Sequence, residues 1–336
     1  MSNKIKNKKI LVTGGAGFIG SHLTDELQSR GYQVSVLDNL RNGSLQNLEF
    51  AQQHSSFKFI NGDILNSSDC IESTREIDCV FHLACLGVRH SIHSPLENHR
   101  VNAEGTLNVL DACKKNGVKR FFYISTSEIY GGADVFPISE ATVPRPFTIY
   151  GGSKLAGEYY TQTYNRLTKF ETTILRIFNN FGPRAHYEGD AGEIIPRAIV
   201  YALYAKRPVI FGDGSITRDF FFVRDTASAL AGLLEIEGLN SMTMNIGTGK
   251  EYSLKEIVEK VLDLTGKREL GIEYIDSRPA DVPRLWVNAE KFKRLTGFVP
   301  KFTFADGLLE TIAYYKKLAE SKNLLADIQT RNWEKK

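Results

Sequence analysis

Lys8-Lys9-Ile10-Leu11-Val12-Thr13-Gly14-Gly15-Ala16-Gly17-Phe18-Ile19-Gly20 is the stretch from which the fold is read. Its apolar run reads as a buried strand that enters a glycine turn and then a helix. The glycines fall at 14, 17 and 20, a G-x-x-G-x-x-G spacing. Such a turn lets backbone N–H groups approach a pyrophosphate closely, and the helix N-terminus adds a partial positive charge. Ile19, Leu23 and Leu27 make the helix amphipathic, and Gly31 stops it. Gly14, Gly17 and Gly20, with Phe18 and Ile19 between them, are therefore candidate dinucleotide-binding residues. A second strand, Gln33 to Leu37, ends in Asp38 and Asn39. A carboxylate at that point can accept both ribose hydroxyls of an adenosine and repel a 2′-phosphate, which favours NAD over NADP. Arg41 lies close enough to work against that preference.

Beyond this unit, strand-like and helix-like segments alternate. Phe57 to Asn61, Cys79 to Leu83, Arg120 to Ser125 and Thr172 to Phe178 read as strands. Ala103, Leu107 and Leu110 mark one face of a helix that ends at Asn116-Gly117. The rhythm predicts an α/β fold, a doubly wound parallel sheet of Rossmann type, with ligands at the carboxyl ends of its strands. From about Gly182 the rhythm loosens, with helical patterns over Ile194 to Lys206 and Leu254 to Thr265. We therefore expect a dinucleotide-binding domain over 1–181, with some segments returning from about 208–248. A smaller α/β substrate lobe over 182–320 and a polar tail over 321–336 complete the division.

A chain of 336 residues can bury a substantial core, and 42% hydrophobic with 24% charged residues is ordinary for a globular protein. A net charge of +3 gives no nucleic-acid footprint. Lys4, Lys6, Lys8 and Lys9 read as a short solvated tail, and no apolar run long enough to span a membrane is present. Cys70, Cys79, Cys85 and Cys113 lack C-x-x-C or zinc-like spacing, and read as free thiols in a reducing cytoplasm.

Tyr150 and Lys154 are four residues apart in Tyr150-Gly151-Gly152-Ser153-Lys154. On a helix they share one face. A tyrosine with a pKa near 10 is a poor base at neutral pH, and lowering it by about 3 units needs roughly 4 kcal/mol. The Lys154 cation and an oxidised nicotinamide are expected to supply that. Upstream, the strand through Ser125 delivers Thr126 to the same sheet edge, where its hydroxyl can bind a substrate hydroxyl.

Taken together these residues resemble the extended short-chain dehydrogenase/reductase family, in particular its nucleotide-sugar epimerases, dehydratases and decarboxylases. The resemblance spans nearly the whole chain. It rests on the glycine turn, Gly62-Asp63-Ile64, His82-Leu83-Ala84, Val101-Asn102-Ala103, Ser125-Thr126-Ser127-Glu128-Ile129-Tyr130-Gly131 and the Tyr150/Lys154 pair. It implies adenine contacts from Asp63 and Ile64, and a cofactor groove lined by Leu83, Ala84 and Asn102. Tyr150 would remove the sugar 4-hydroxyl proton while hydride leaves C4 for NAD, and Lys154 would orient the nicotinamide ribose. In the lobe, the resemblance assigns Asn179, Arg218, Arg278 and Asp281 to a nucleotide-diphosphate sugar; guanidinium forks suit phosphate oxygens. A homodimer formed through two helices per subunit is implied as well.

The reaction that follows C4 oxidation depends on Thr126-Ser127-Glu128. A 4,6-dehydratase needs a base for the C5 proton and an acid for the departing 6-hydroxyl, and Glu128 suits the base role. The dTDP-glucose dehydratases carry Asp-Glu at the last two positions, so Ser127 departs from them and is closer to the GDP-mannose dehydratases. UDP-glucuronate decarboxylases resemble this run too, and the Leu86 to Ser91 segment looks more like epimerases. Arg89 or His90 could face a hexuronate carboxylate. The expectation is a 4,6-dehydratase, with a 4-epimerase and a decarboxylase as alternatives. His90, His93 and His99 come without a carboxylate pattern and read as a solvated loop rather than a metal site.

Overall fold

The computed structural model describes residues 8–168 and 170–334. Lys4 and Lys6 of the expected basic tail, and the last two residues of the polar tail, lie outside the described residues. Six strands come first: β1 (Lys9–Thr13), β2 (Gln33–Asp38), β3 (Phe57–Asn61), β4 (Cys79–His82), β5 (Arg120–Thr126) and β6 (Glu171–Ile177). They are followed by β7 (Asn179–Phe181), β8 (Val209–Phe211), β9 (Thr217–Phe222), β10 (Met242–Ile246), β11 (Glu251–Ser253), β12 (Glu273–Ile275) and β13 (Arg284–Leu285).

Seven of these form one sheet in the order β10-β6-β5-β4-β1-β2-β3, parallel at every pairing. Residues alternate between its two faces. Ile10 and Val12 pack with Leu23 and Leu27 of the Phe18–Ser29 helix, while Leu11 packs with Val109 and Leu110 of the Gly105–Lys115 helix. A strand covered on both faces must be apolar on both, which is why β1 reads as an unbroken hydrophobic run. The fold is a doubly wound Rossmann-type sheet. Its winding reverses between β1 and β4, where Thr13 lies beside His82. The crevice at the carboxyl ends of those two strands is where such sheets hold ligands.

After β6 the chain builds a second layer. β9 takes β11 as an antiparallel neighbour, with β7 and β13 parallel to it. β8 pairs with β12. Ile199, Val261 and Ile312, from three separate helices, close a second core against Phe220 and Phe222 of β9. Of the segment 208–248, only the later part returns to the main sheet. The Val223–Gly232 helix packs Leu230 beside Leu23 and Leu27, and β10 extends the sheet beyond β6.

Two sequence-based boundaries shift. The helix expected over Ile194 to Lys206 stops at Leu203, because Ala205 takes a positive φ of 52° and the Lys206 N–H turns back to the Tyr201 carbonyl. The tail past Ser321 also has a role in packing. Leu324 is buried, the Trp333 ring meets Phe211 edge-on at 4.6 Å, and Asn332 donates to the Gly192 carbonyl at 3.1 Å. Among the described residues, no helix is long and apolar enough to cross a membrane.

Candidate active site

The turn after β1 leaves no room for a side chain at Gly14 or Gly20. A Cβ on Gly20 would lie 2.1 Å from the Gly14 carbonyl oxygen, and one on Gly14, at φ +70°, would lie 2.7 Å from the Ala84 nitrogen. Gly17 caps the Phe18–Ser29 helix without any side-chain hydrogen bond, so the first-turn N–H groups stay available to an anion. At the end of β2 the Asp38 carboxylate accepts from the Ala16 and Leu40 N–H groups at 3.0 and 2.8 Å. Burial pushes this carboxyl above its usual range, and those two bonds oppose the shift. Asn39 donates to Asp63 at 3.0 Å. Gly14, Gly17, Phe18, Ile19, Gly20, Asp38, Asn39, Asp63, Ile64, Leu83 and Ala84 all line one cleft of about 530 Å³. Arg41 also lines it, with its guanidinium paired to Glu97.

Beneath the cleft floor, His82 fixes the loop that follows β4. Its Nδ1 is 2.7 Å from the Thr13 hydroxyl and its Nε2 is 3.0 Å from the Thr106 hydroxyl. Thr106 donates to the Asn102 carbonyl, so it accepts from His82 Nε2–H; Nδ1 then accepts from Thr13, which accepts from the Ala84 N–H. This one-way chain requires a neutral ring. Burial agrees, lowering the His82 pKa to about 3.

Tyr150, Thr126, Ser127 and Glu128 line the inner part of the same cleft. The Ile149–Leu167 helix approaches the turn after β5 closely enough that a Cβ on Gly151 would lie 2.7 Å from the Glu128 carbonyl oxygen. That contact sets Tyr150 beside Thr126. The Thr126 hydroxyl accepts from the Glu128 N–H at 3.2 Å and keeps its own proton to donate. Burial raises the Tyr150 pKa well above its ordinary value, with the Cys85 thiol adding to the shift and the Thr126 hydroxyl opposing it. Lys154 is buried behind the cleft wall, its Nζ 4.3 Å from the Tyr123 ring centroid, and burial lowers its own pKa.

Asn102 stands away from the cleft lining. It is buried outside the cleft, accepting from the Leu86 N–H at 2.8 Å and donating to the Leu86 carbonyl and the Ser153 hydroxyl. Its side chain is consumed in tying the loop after β4 to the Ile149–Leu167 helix.

The lobe brings Asn179, Arg218, Arg278 and Asp281 to the cleft, across from Glu128. Burial raises the Glu128 carboxyl, while the Arg218 and Arg278 charges pull it down. Asp281 sits between the two arginines, paired directly with Arg278 and 3.8 Å from Arg218. It is therefore an arginine anchor first. Two buried polar atoms here, Arg278 Nε and Asn179 Oδ1, have no hydrogen-bond partner among the described residues. Arg89 is committed as well. It donates to the Asp190 and Ala191 carbonyls at 2.7 and 3.0 Å and pairs with Glu193 at 2.5 Å. A hexuronate carboxylate would have to compete with all three.

Sequence reading gave no site role to the segment from His186 to Arg197. His186, Asp190, Glu193 and Arg197 line the cleft, as do Cys85, Asn180 and Asn332. The only available signal was a charged run broken by Gly189 and Gly192. The expected solvated histidine loop is helical instead, over Val88–His93 and Pro95–His99, with His90 buried.

Residues 10–247 match the model of the NAD dependent epimerase/dehydratase family. Over 310 residues the chain is 35% identical to a putative UDP-glucose 4-epimerase of Methanocaldococcus jannaschii, covering 91% of this chain and 98% of that one. It is 33% identical to UDP-glucuronic acid decarboxylase 1 of Xenopus tropicalis, covering 93% and 73%. A solved dTDP-glucose 4,6-dehydratase from Streptomyces venezuelae, with NAD bound, superposes with a TM-score of 0.87 at 29% identity, covering 92% and 97%.

Proposed function

The chain belongs to the NAD dependent epimerase/dehydratase family, and we propose that within it the protein is a 4,6-dehydratase acting on a nucleotide-diphosphate hexose. The glycine turn, with its Cβ-free approach to Ala84 and its uncapped helix start, fits a dinucleotide pyrophosphate. Asp38 would take the adenosine ribose, Asp63 and Ile64 the adenine, and the loop at Leu83-Ala84 the nicotinamide half. NAD, when bound, supplies reversible hydride storage.

Tyr150 takes the proton from the sugar 4-hydroxyl, with Thr126 donating to that oxygen to hold it in line. Once C4 is a ketone, the C5 proton is acidic, and Glu128 removes it. Glu128 then returns the proton to the 6-hydroxyl oxygen, which departs as water. With NAD bound, the hydride taken from C4 would be returned to C6, and the proton first taken from the 4-hydroxyl balances the one C5 regains. Asn179 and Arg278 would meet the nucleotide diphosphate with the two polar atoms that lack partners among the described residues.

One observation carries the choice of reaction: the Glu128 carboxyl lines the cleft with Tyr150 and Thr126, and burial raises it against the pull of Arg218 and Arg278. An epimerase needs no such group. Decarboxylation is less supported, because Arg89 is held by Asp190, Ala191 and Glu193. A 4-epimerase stays as the second reading because the relative at 35% identity bears that name. Incubation with UDP-, dTDP- and GDP-hexoses followed by product mass tests the choice. Loss of water supports the dehydratase. Unchanged mass with inverted C4 would replace it with the epimerase, and loss of carbon dioxide from a UDP-hexuronate would replace it with the decarboxylase. We also propose a homodimer formed through the Gly105–Lys115 and Ile149–Leu167 helices, on which Leu107 and Tyr159 are exposed.

A further inference from the structure

His90 and His93 stand three apart on the Val88–His93 helix, on one face of it. Asp190 reaches them from a segment 97 residues away, its Oδ2 3.0 Å from His93 Nε2. One ligating atom from each of the three lies within 4.8 Å of the other two. Arg89 and the Asn332 amide hold the backbone that carries Asp190, through the Asp190, Ala191 and Gly192 carbonyls. The carboxylate is thereby placed independently of any ion.

The outer contacts of both imidazoles favour ligation. His90 Nε2 is 3.1 Å from Glu97 Oε2, and Nδ1 is buried without a partner among the described residues. Arg41 approaches that Nε2 to 3.2 Å because it shares the same Glu97 oxygen. With the Nε2 proton on Glu97, Nδ1 carries an unused lone pair. A proton on Nδ1 would instead be a buried donor with nothing to receive it. His93 Nδ1 is 2.9 Å from the Ser94 hydroxyl, so it can donate there while Nε2 turns to an ion. Ring nitrogens that donate to a carboxylate or another oxygen are the usual outer shell of metal-binding histidines.

We propose that His90, His93 and Asp190 form a binding site for a divalent transition-metal ion of the zinc class. Two imidazoles and a carboxylate suit that class better than calcium or magnesium, which take oxygen ligands. Zinc bonds of about 2.0–2.2 Å place tetrahedral ligands roughly 3.3 Å apart. The three side chains must then close by about 1.5 Å at most, a rotamer adjustment rather than a refolding. Three protein ligands leave one position open. His90 and Asp190 line the cleft, so that position faces it, and the ion ties the His186–Glu193 wall to the Val88–His93 helix.

Tag-free full-length protein, stripped with chelator, is titrated with zinc chloride by calorimetry, and separately with cobalt(II) followed by visible absorption. The expected result is one ion per chain and cobalt bands of tetrahedral intensity. His93→Gln and Asp190→Asn each weaken binding at least tenfold and abolish the bands, whereas His99→Gln, on an exposed residue outside the cluster, leaves both unchanged. No bound ion, or unaltered affinity in both cluster variants, overturns the proposal. Circular dichroism monitors folding; if Asp190→Asn is unfolded, His93→Gln alone decides. The readout needs no turnover, so it stands or fails separately from the dehydratase reading.

Discussion

Tyr150 carries the first step, and its surroundings set how that step responds to pH. Burial raises the phenol, so the ionised base gains population as pH rises. We expect the rate of C4 oxidation, followed as the first NADH absorbance in a single turnover, to climb with pH through neutrality; a flat profile would remove the phenol from that step. Tyr150→Phe should lower turnover by about 10²–10⁴-fold, the usual worth of a positioned acid–base group, with NAD still bound by calorimetry. Glu128 acts one step later. Glu128→Gln should therefore leave C4 oxidation intact and stall there, with NADH absorbance accumulating and no water lost from the sugar. Full dehydration by that variant would mean that another group handles the C5 proton.

Two elements hold these residues in place, and each makes its own forecast. The glycine turn is tight unequally. A Cβ on Gly17 would sit 3.3 Å from the Gly14 carbonyl oxygen, against 2.1 Å for Gly20. Gly17→Ala should cost less than about 1 kcal/mol and Gly20→Ala about 2–3 kcal/mol in urea unfolding, as overpacking of a closed site does. The second element is a buried ion pair below the catalytic turn. Arg176 of β6 binds Glu158 through Nε and Nη2, Glu158 accepts from the Ser125 hydroxyl of β5, and Arg176 also donates to Tyr130. It thereby joins two strands to the helix that carries Tyr150. Glu158→Ala strands a buried guanidinium and should destabilise the fold by about 3–5 kcal/mol. The double replacement Glu158→Leu with Arg176→Met should cost clearly less, because no charge is left unpaired. Equal losses in the two variants would show that packing, not charge, dominates.

At the scale of the whole molecule, acid should weaken the fold through two buried imidazoles. His22, which contacts the Pro183 carbonyl, and His82 both have pKa values lowered to about 3 by burial. Unfolded, each titrates near 6.5. Between those values the unfolded chain binds more protons than the native one, so stability present above about pH 6.5 is lost as pH falls towards 3. The melting temperature should drop over that window, and His22→Gln should make the drop shallower. Much of this architecture was legible beforehand. The run from Ile10 to Gly20 implied a strand, a tight turn and a helix because local sterics and periodicity act on neighbours in the chain. For the same reason Asp38, Thr126 and Tyr150 could be assigned to strand ends and helix starts. Local rules do not reach residues brought together by tertiary packing. Nothing near His90 and His93 announces Asp190, nothing near Glu128 announces Arg218 and Arg278, and the spacing of Tyr150 and Lys154 does not reveal that the ammonium lies against the Tyr123 ring. The sequence alone therefore determined the parallel sheet and the class of cofactor, since these follow from local conformation and burial. Only the tertiary structure decided which charges meet across the cleft and which are already spent on one another, because electrostatics depends on distance in space.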